Sequence, residues 1–133
     1  MKNKKELMDL SKKQELSIAV MNLISIEEHL AFTAMKTGKK EYLAALNSIR
    51  EMRKKYLKKL LTNTEGELWC ISKHLLSTTM RLMETGTKHF DNMKEAAEYF
   101  DAAFDAYTLF WLLQGLGKGN SNGNIKKTRE TKK

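Results

Sequence analysis

The sequence contains no proline and only one cysteine. Proline removes a backbone donor and clashes with the preceding helical turn, so its absence favours long, uninterrupted helices. Good helix formers (Leu, Lys, Glu, Met and Ala) dominate the composition. The single cysteine, Cys70, excludes a disulfide within the chain and is typical of proteins in a reducing compartment. We therefore expect an all-α protein located in the cytoplasm.

The sequence also lacks several patterns that would indicate particular functions. Its seven glycines do not form a phosphate-binding loop, and its Ser, His and acidic residues show no triad pattern. The most apolar run, residues 106–113, is far shorter than the roughly 20 residues of a membrane helix. The basic N-terminus is not followed by the apolar region of a signal peptide. We therefore expect no membrane association and no cofactor.

Four amphipathic segments with apolar residues at helical spacing are separated by short breaks. A capping box at Ser11 and Gln14 begins the first segment, and Gly38 ends it. Thr64 and Glu67 form a similar capping box for the third segment. Short connections make successive helices antiparallel neighbours, which predicts an up-down-up-down four-helix bundle. The predicted helices cover residues 11–35, 39–61, 64–85 and 92–116.

The net charge of +8 comes from the two ends of the chain. Residues 1–13 sum to +3 and residues 118–133 to +5, whereas residues 14–117 are neutral. Gly115 and Gly117 are expected to close the fourth helix, and the polar, Gly- and Asn-rich segment that follows is typical of disorder. The predicted organisation is a flexible basic arm at 1–10, a four-helix bundle at 11–117 and a disordered basic tail at 118–133.

A cluster of basic residues occupies the C-terminal half of the second predicted helix. In an antiparallel bundle, this cluster lies at the same end as both tails and forms a basic pole with them. Clustered Lys and Arg bind phosphate groups with little sequence preference, so the pole is a candidate site for nucleic acid or another polyanion. The alternative is a solvated helix end that complements the helix dipole. The candidate residues are Arg50, Lys54, Lys55, Lys58 and Lys59 in the helix, and Lys126 and Lys127 in the tail.

Glu27 and Arg53 each fall on an otherwise apolar stripe, where a charge needs a partner. Folding about Gly38 places residue 27 near the level of residue 49, with Arg53 about 6 Å further along the axis. The sequence predicts a buried ion pair between Glu27 and Arg53, with Arg50 as the alternative partner. Such a pair either fixes the register of the helices or forms part of a polar binding site inside the bundle.

Two sets of side chains are candidate metal ligands. Glu67, Cys70 and His74 lie at i, i+3 and i+7 on one face of the third predicted helix, and all three types bind metals. No fourth ligand is evident, and the Glu-x-x-His motif of di-iron bundles is absent, so we predict no metal site. His29 and His89 are expected to be isolated surface residues. The second set is an acidic ridge on the fourth helix with the ligand type that Mg²⁺ prefers, formed by Glu95, Glu98, Asp101 and Asp105.

The third and fourth predicted helices are apolar around more of their circumference than one bundle core requires. Residues 107–116 are apolar nearly all round, and such a surface must be covered. Closed two-fold assemblies are the commonest, so the sequence predicts a homodimer through these helices. The preferred function is a non-enzymatic interaction or adaptor protein that self-associates; polyanion binding and a metal-dependent helical enzyme are the alternatives. The predicted inner face of the fourth helix consists of Met93, Ala96, Ala97, Phe100, Ala103, Phe104, Tyr107 and Trp111.

Overall fold

The computed structural model describes residues 4–62 and 66–120, and of residues 5–9 and 116–120 it describes the backbone alone. In these ranges the chain forms four helices and no strand. This confirms the predicted all-α class and the number of helices. The helices are α1 (Lys4–Thr37), α2 (Lys40–Leu60), α3 (Gly66–Thr87) and α4 (Met93–Asn120).

The first compact unit, Met1–Leu60, is a hairpin of α1 and α2. α1 ends as expected at Gly38, whose φ of 67° is readily adopted only by a residue without a Cβ. The amide of Gly38 donates a 2.8 Å hydrogen bond to the carbonyl of Ala34, which closes the last helical turn. α2 starts two residues later, so this glycine makes the tight reversal of the chain.

The buried side chains of the first unit are mostly aliphatic. Val20 and Leu57 are fully buried, and buried polar residues lie among them. One of these, Ser17, donates a 2.6 Å hydrogen bond from its hydroxyl to the carbonyl of Gln14, so its polar group is satisfied within α1. The other buried apolar residues of this unit are Met21, Ile24, Ala34 and Leu60.

The second compact unit, Leu61–Lys133, contains α3 and α4 packed against each other. The side chain of Asn92 caps α4 by accepting a 3.1 Å hydrogen bond from the amide of Glu95. Many of the residues buried in this unit are small, namely Ser72, Thr79 and Gly86 on α3 and Ala96, Ala103 and Ala106 on α4. Small side chains on both helices permit close approach. A Cβ built on Gly86 would meet the ring of Phe100 at 2.9 Å.

A buried glutamine joins three parts of the second unit. Gln114 Nε2 donates to the hydroxyl of Ser72 at 3.1 Å and to the carbonyl of Phe110 at 3.2 Å. Its Oε1 accepts from the amide of Thr62 at 3.4 Å. The hydroxyl of Thr62 in turn donates to the carbonyl of Gln114 at 3.0 Å. These bonds fasten the segment that precedes α3 to the C-terminal part of α4.

Two predicted helix boundaries were wrong. α1 begins at Lys4, so residues 4–10 are helical and Ser11 with Gln14 lies inside the helix rather than capping it. α4 continues past Gly115 to Asn120, because a helical glycine costs only about 1 kcal/mol and no proline follows. Residues 1–3, Thr64 of the second predicted capping box and residues 121–133 of the predicted tail lie outside the described residues.

The predicted inner face of α4 was only partly right. Ala96 and Ala103 are buried, but Met93, Ala97 and Phe104 are exposed. The buried side is rotated toward Ala106 and Phe110, and the latter is fully buried. Because this helix has apolar residues on all sides, helical periodicity alone does not choose its packed face.

Within the described residues, Leu10–Thr37 of α1 is long and apolar enough to cross a membrane, with a mean hydropathy of 1.2. Glu27 and Glu28 interrupt this segment, so it contains no long unbroken apolar run. About a fifth (22%) of the most apolar 18 residues of this segment is buried. Core helices of soluble proteins and N-terminal signal sequences pass the same test, so this finding does not by itself place the chain in a membrane.

Candidate interaction surfaces

The C-terminal half of α2 presents a basic face to solvent. We define the basic face as Arg50, Lys54, Lys55, Lys58 and Lys59, all of which are exposed or half-buried. Glu51 is the only acidic residue among residues 50–59. Its Oε1 lies 3.7 Å from Arg50 Nη1 and 3.6 Å from Lys54 Nζ. One carboxylate therefore serves two cations, and the face keeps a net positive charge.

Tyr56 lies between two lysines of the basic face. The ammonium groups of Lys55 and Lys59 lie 5.4 and 5.5 Å from the centroid of its ring. Both distances are within the range in which the negative face of an aromatic ring attracts a cation. The ring thus partly offsets the repulsion between the two ammonium groups. Lys126 and Lys127, the tail members of the predicted basic pole, lie outside the described residues.

The structure brings Glu27 and Arg53 together in the first unit. Arg53 Nε donates to one carboxylate oxygen of Glu27 at 2.7 Å, and Nη2 donates to the other at 3.0 Å. The two side chains are only 8% and 14% exposed, with Arg53 the more buried. This bidentate geometry is the strongest form of arginine–carboxylate pair. Arg53 is consequently withdrawn from the basic face, and Arg50 contacts Glu51 instead.

Glu67, Cys70 and His74 line an open groove on α3, about 420 Å³ in volume, together with Ile71, Leu75 and Thr78. All three candidate ligands are exposed. However, the described part of the chain holds no group of three His, Cys, Asp or Glu side chains arranged to bind a metal ion. The spacing i, i+3 and i+7 places residues on one helix face but does not direct their donor atoms to one point.

The acidic ridge of α4 is not a uniform row of carboxylates. Glu98, Asp101 and Asp105 are exposed, whereas Glu95 is half-buried and contacts two aromatic side chains. The hydroxyl of Tyr99 donates to Glu95 Oε1 at 3.3 Å, and His89 Nε2 lies 3.7 Å from the same oxygen. Across residues 4–62 and 66–120, no three of these carboxylates converge on a point where a cation could bind.

His89 is not the isolated surface residue that the sequence indicated. Its Nδ1 lies 2.8 Å from the carbonyl of Thr85, and its ring packs on Tyr99 with centroids 5.0 Å apart. The charge of Glu95 raises the pKa of Tyr99, and the hydrogen bond to Glu95 and the more distant Glu98 act in the same direction. The sequence signal for this cluster is weak, because its members belong to a turn and to the next helix.

Between Phe104 and Leu112, α4 exposes three large apolar side chains. Phe104 is 69% exposed, Leu109 50% and Leu112 59%. We call these three residues the α4 apolar patch. Their positions fall within about 140° of the helix circumference at roughly 100° per residue, so they form one surface. Two exposed acidic residues share this arc: Asp101 lies before Phe104, and Asp105 lies between Phe104 and Leu109.

Comparison of the chain with protein-family models, with curated proteins and with solved structures finds no match in any of the three.

Proposed function

We propose that this protein is a non-enzymatic helical interaction module that self-associates as a homodimer through the α4 apolar patch. The observation that carries this proposal is the exposure of Phe104, Leu109 and Leu112 on one surface. Fully burying a large apolar side chain contributes about 1.5–3 kcal/mol, so covering half-exposed ones contributes on the order of 1 kcal/mol each. A two-fold dimer buries the patch of both copies at once.

The charges of α4 favour an antiparallel pairing of the two copies. The acidic residues of the ridge all precede residue 106, and residues 106–117 carry no charge. An antiparallel pair centred on Thr108 places Phe104 of one copy opposite Leu112 of the other. It also keeps the carboxylates of the two copies apart, whereas a parallel pair would align like charges at a cost.

Sedimentation velocity over micromolar concentrations tests this dimer. We expect the wild type to sediment above the 15.4 kDa monomer. We expect Phe104→Glu and Leu112→Glu each to shift the protein to monomer without unfolding, because both side chains already face solvent. Ile18→Glu on α1 is the matched control, since Ile18 is also about half exposed (51%). A wild-type monomer throughout, or a loss of dimer caused by Ile18→Glu alone, would contradict the proposal.

We further propose that the four helices form an up-down-up-down bundle. The support is the shortness of the connections, which are residues 38–39, 61–65 and 88–92. Pairs of spin labels in a Cys70→Ser background test it. This topology places labels at Lys39 and Lys88 at one end, closer together than the roughly 30 Å between the two ends of α2. A Lys39–Lys88 distance as long as a Lys39–Thr62 distance would exclude it.

We propose the cytoplasm as the location of this module. The support is the exposed, unbridged Cys70 together with the pairing of Glu27, inside the apolar segment of α1, with Arg53 of α2. This buried ion pair packs the apolar segment of α1 against α2. A helix that spans a bilayer does not need such a partner. Cell fractionation tests this location: we expect the protein in the soluble fraction, and resistance to carbonate extraction from membranes would contradict it.

A further inference from the structure

We propose a second activity: the basic face of α2 binds the phosphate backbone of nucleic acid. Five cations and one carboxylate occupy residues 50–59 outside the buried Arg53, which leaves a net charge of about +4 on this face. Ten helical residues extend over about 14 Å. A duplex presents roughly one phosphate charge per 1.7 Å of its axis, so about eight phosphates lie within reach of such a face.

The neighbourhood of Tyr56 makes part of this face ready for an anion. Bringing two lysines together is unfavourable, yet both ammonium groups lie within 5.5 Å of the centroid of one ring. The ring compensates part of their repulsion through its negative face. A phosphate that bridges Lys55 and Lys59 would compensate the rest, so this position favours an anion over a cation or a neutral ligand.

The basic face is also held in place before any ligand arrives. Arg53, in the middle of the cluster, is fixed to α1 by its bidentate pair with Glu27. Leu57 and Leu60 are buried on the same side of α2. Because the helix is already ordered, binding need not order its backbone, and less conformational entropy is lost.

The apolar side of α2 argues for nucleic acid rather than an anionic membrane. A basic amphipathic helix binds a bilayer by burying its apolar face among the lipids. In α2 that face contains Leu57 and Leu60, which are already buried in the protein. Among residues 50–59, Met52 is the one large apolar side chain that is exposed. The free side of this helix therefore offers charge but little surface to insert.

Fluorescence anisotropy with a labelled single strand of about 20 nucleotides and with the corresponding duplex tests the proposal. If the face binds about four to five phosphates, we expect the wild-type affinity to fall about 50- to 500-fold between roughly 50 and 200 mM salt. Replacing Lys54, Lys55, Lys58 and Lys59 together by Gln should weaken binding at least about 10-fold at the lower salt concentration. The slope of log affinity against log salt concentration should also become shallower, by about 0.7–0.9 for each phosphate that the variant no longer neutralises.

The matched control carries the same change in net charge elsewhere. Replacing Lys36, Lys73, Lys88 and Lys94 by Gln should leave the affinity within about threefold of the wild type. Arginine at positions 54, 55, 58 and 59 keeps the charge and should retain binding, which covers the case in which the glutamine variant fails to fold. No binding at low salt, or an equal loss of affinity in the control variant, would overturn the proposal. Binding to vesicles rich in phosphatidylserine without binding to either oligonucleotide would overturn it as well.

Discussion

The charge of Arg53 is buried, and its pairing with Glu27 offsets the free-energy cost of removing that charge from water. Removing one partner of a buried pair leaves the other charge uncompensated and typically costs about 3 kcal/mol or somewhat more. We therefore expect Glu27→Ala to lower the free energy of unfolding by about 3 kcal/mol, because it leaves a guanidinium that is only 8% exposed without its carboxylate. Urea denaturation of the single variants measures this change.

The double variant separates the ion pair from general packing. Arg53→Met preserves most of the side-chain volume, and combining it with Glu27→Ala removes both charges. We expect the double variant to be much less destabilised than the sum of the two single variants, with a coupling of about 1–3 kcal/mol. Additive losses would show that the contact, although short, does not act as a pair.

Tyr99 and Glu95 give a measurable titration at the turn between α3 and α4. Because ionising the phenol would place a second negative charge beside Glu95, the pKa of Tyr99 lies above its ordinary value. We expect Glu95→Gln to move the pKa of Tyr99 back down. Phenolate absorbance, taken as the difference between each protein and its Tyr99→Phe derivative, measures the shift. Glu98→Gln is the control and should have a smaller effect.

The same shift sets the direction of the alkaline stability change. A tyrosine in the unfolded chain ionises near pH 10, below the pKa of the folded state. The stabilisation from neutral Tyr99 is therefore present below about pH 10 and is lost as the pH rises through the folded pKa. An alkaline loss of stability that is identical in wild type and Tyr99→Phe would contradict this assignment.

Gly86 and Gly115 are helical glycines in different surroundings, and they allow a matched test of how α3 and α4 pack. Alanine normally stabilises a helix by about 0.5–1 kcal/mol relative to glycine. At Gly115 nothing lies within 4 Å of the added methyl, so we expect Gly115→Ala to be stabilising by that amount. At Gly86 the methyl would meet the ring of Phe100 at 2.9 Å, so we expect a loss of about 1–3 kcal/mol.

Thermal or urea melts of both variants check this contrast. Combining Gly86→Ala with Phe100→Leu should recover part of the loss, because a smaller side chain leaves room for the methyl. Equal stabilisation by alanine at both positions would mean that Phe100 can move away freely, and that close approach of the helices does not depend on this glycine.

At the scale of the element, the sequence predicted the helices better than their ends and faces. The end of α1 could be predicted from Gly38, because glycine readily adopts the left-handed conformation that closes this helix. The end of α4 could not be predicted from Gly115, because the free-energy cost of one helical glycine is smaller than the stabilisation from the surrounding helix formers. The packed face of α4 could not be chosen because Ala103 and Phe104 are both apolar. Only the partner helix decides that Ala103 is buried and Phe104 is exposed.

At the scale of the whole molecule, the chain is organised as two compact helical units. A substitution that weakens one unit should therefore act first on its own helices. We expect Glu27→Ala to speed amide hydrogen exchange in α1 and α2 more than in α3 and α4, and Gly86→Ala to do the reverse. Hydrogen exchange followed by mass spectrometry of peptides measures both. A uniform increase across all four helices in both variants would show that the chain opens as one cooperative unit.

The candidate surfaces were predictable to different degrees. The basic residues of α2 could be recognised from the sequence, but the withdrawal of Arg53 from that face depends on its contact with Glu27. The apolar excess of α4 was also visible. Its exposed members were not, since exposure depends on which side of the helix packs. For Glu67, Cys70 and His74, the sequence shows a shared helix face but not whether their donor atoms converge, because helical spacing alone does not bring donor atoms together.

The hydrogen bonds between Thr62 and Gln114 have a consequence for synthesis on the ribosome. They join residues that are 52 positions apart, so the segment before α3 gains its partner only after residue 114 has been synthesised. The hairpin of α1 and α2 is finished much earlier, and nascent domains generally fold from the N-terminus onward. We expect arrested chains that end before residue 114 to protect α1 and α2 from protease while α3 stays open to cleavage. Protection of α3 in such chains would show that Gln114 is dispensable. Otherwise the synthesis of α4 through Gln114 determines when the second hairpin becomes stable.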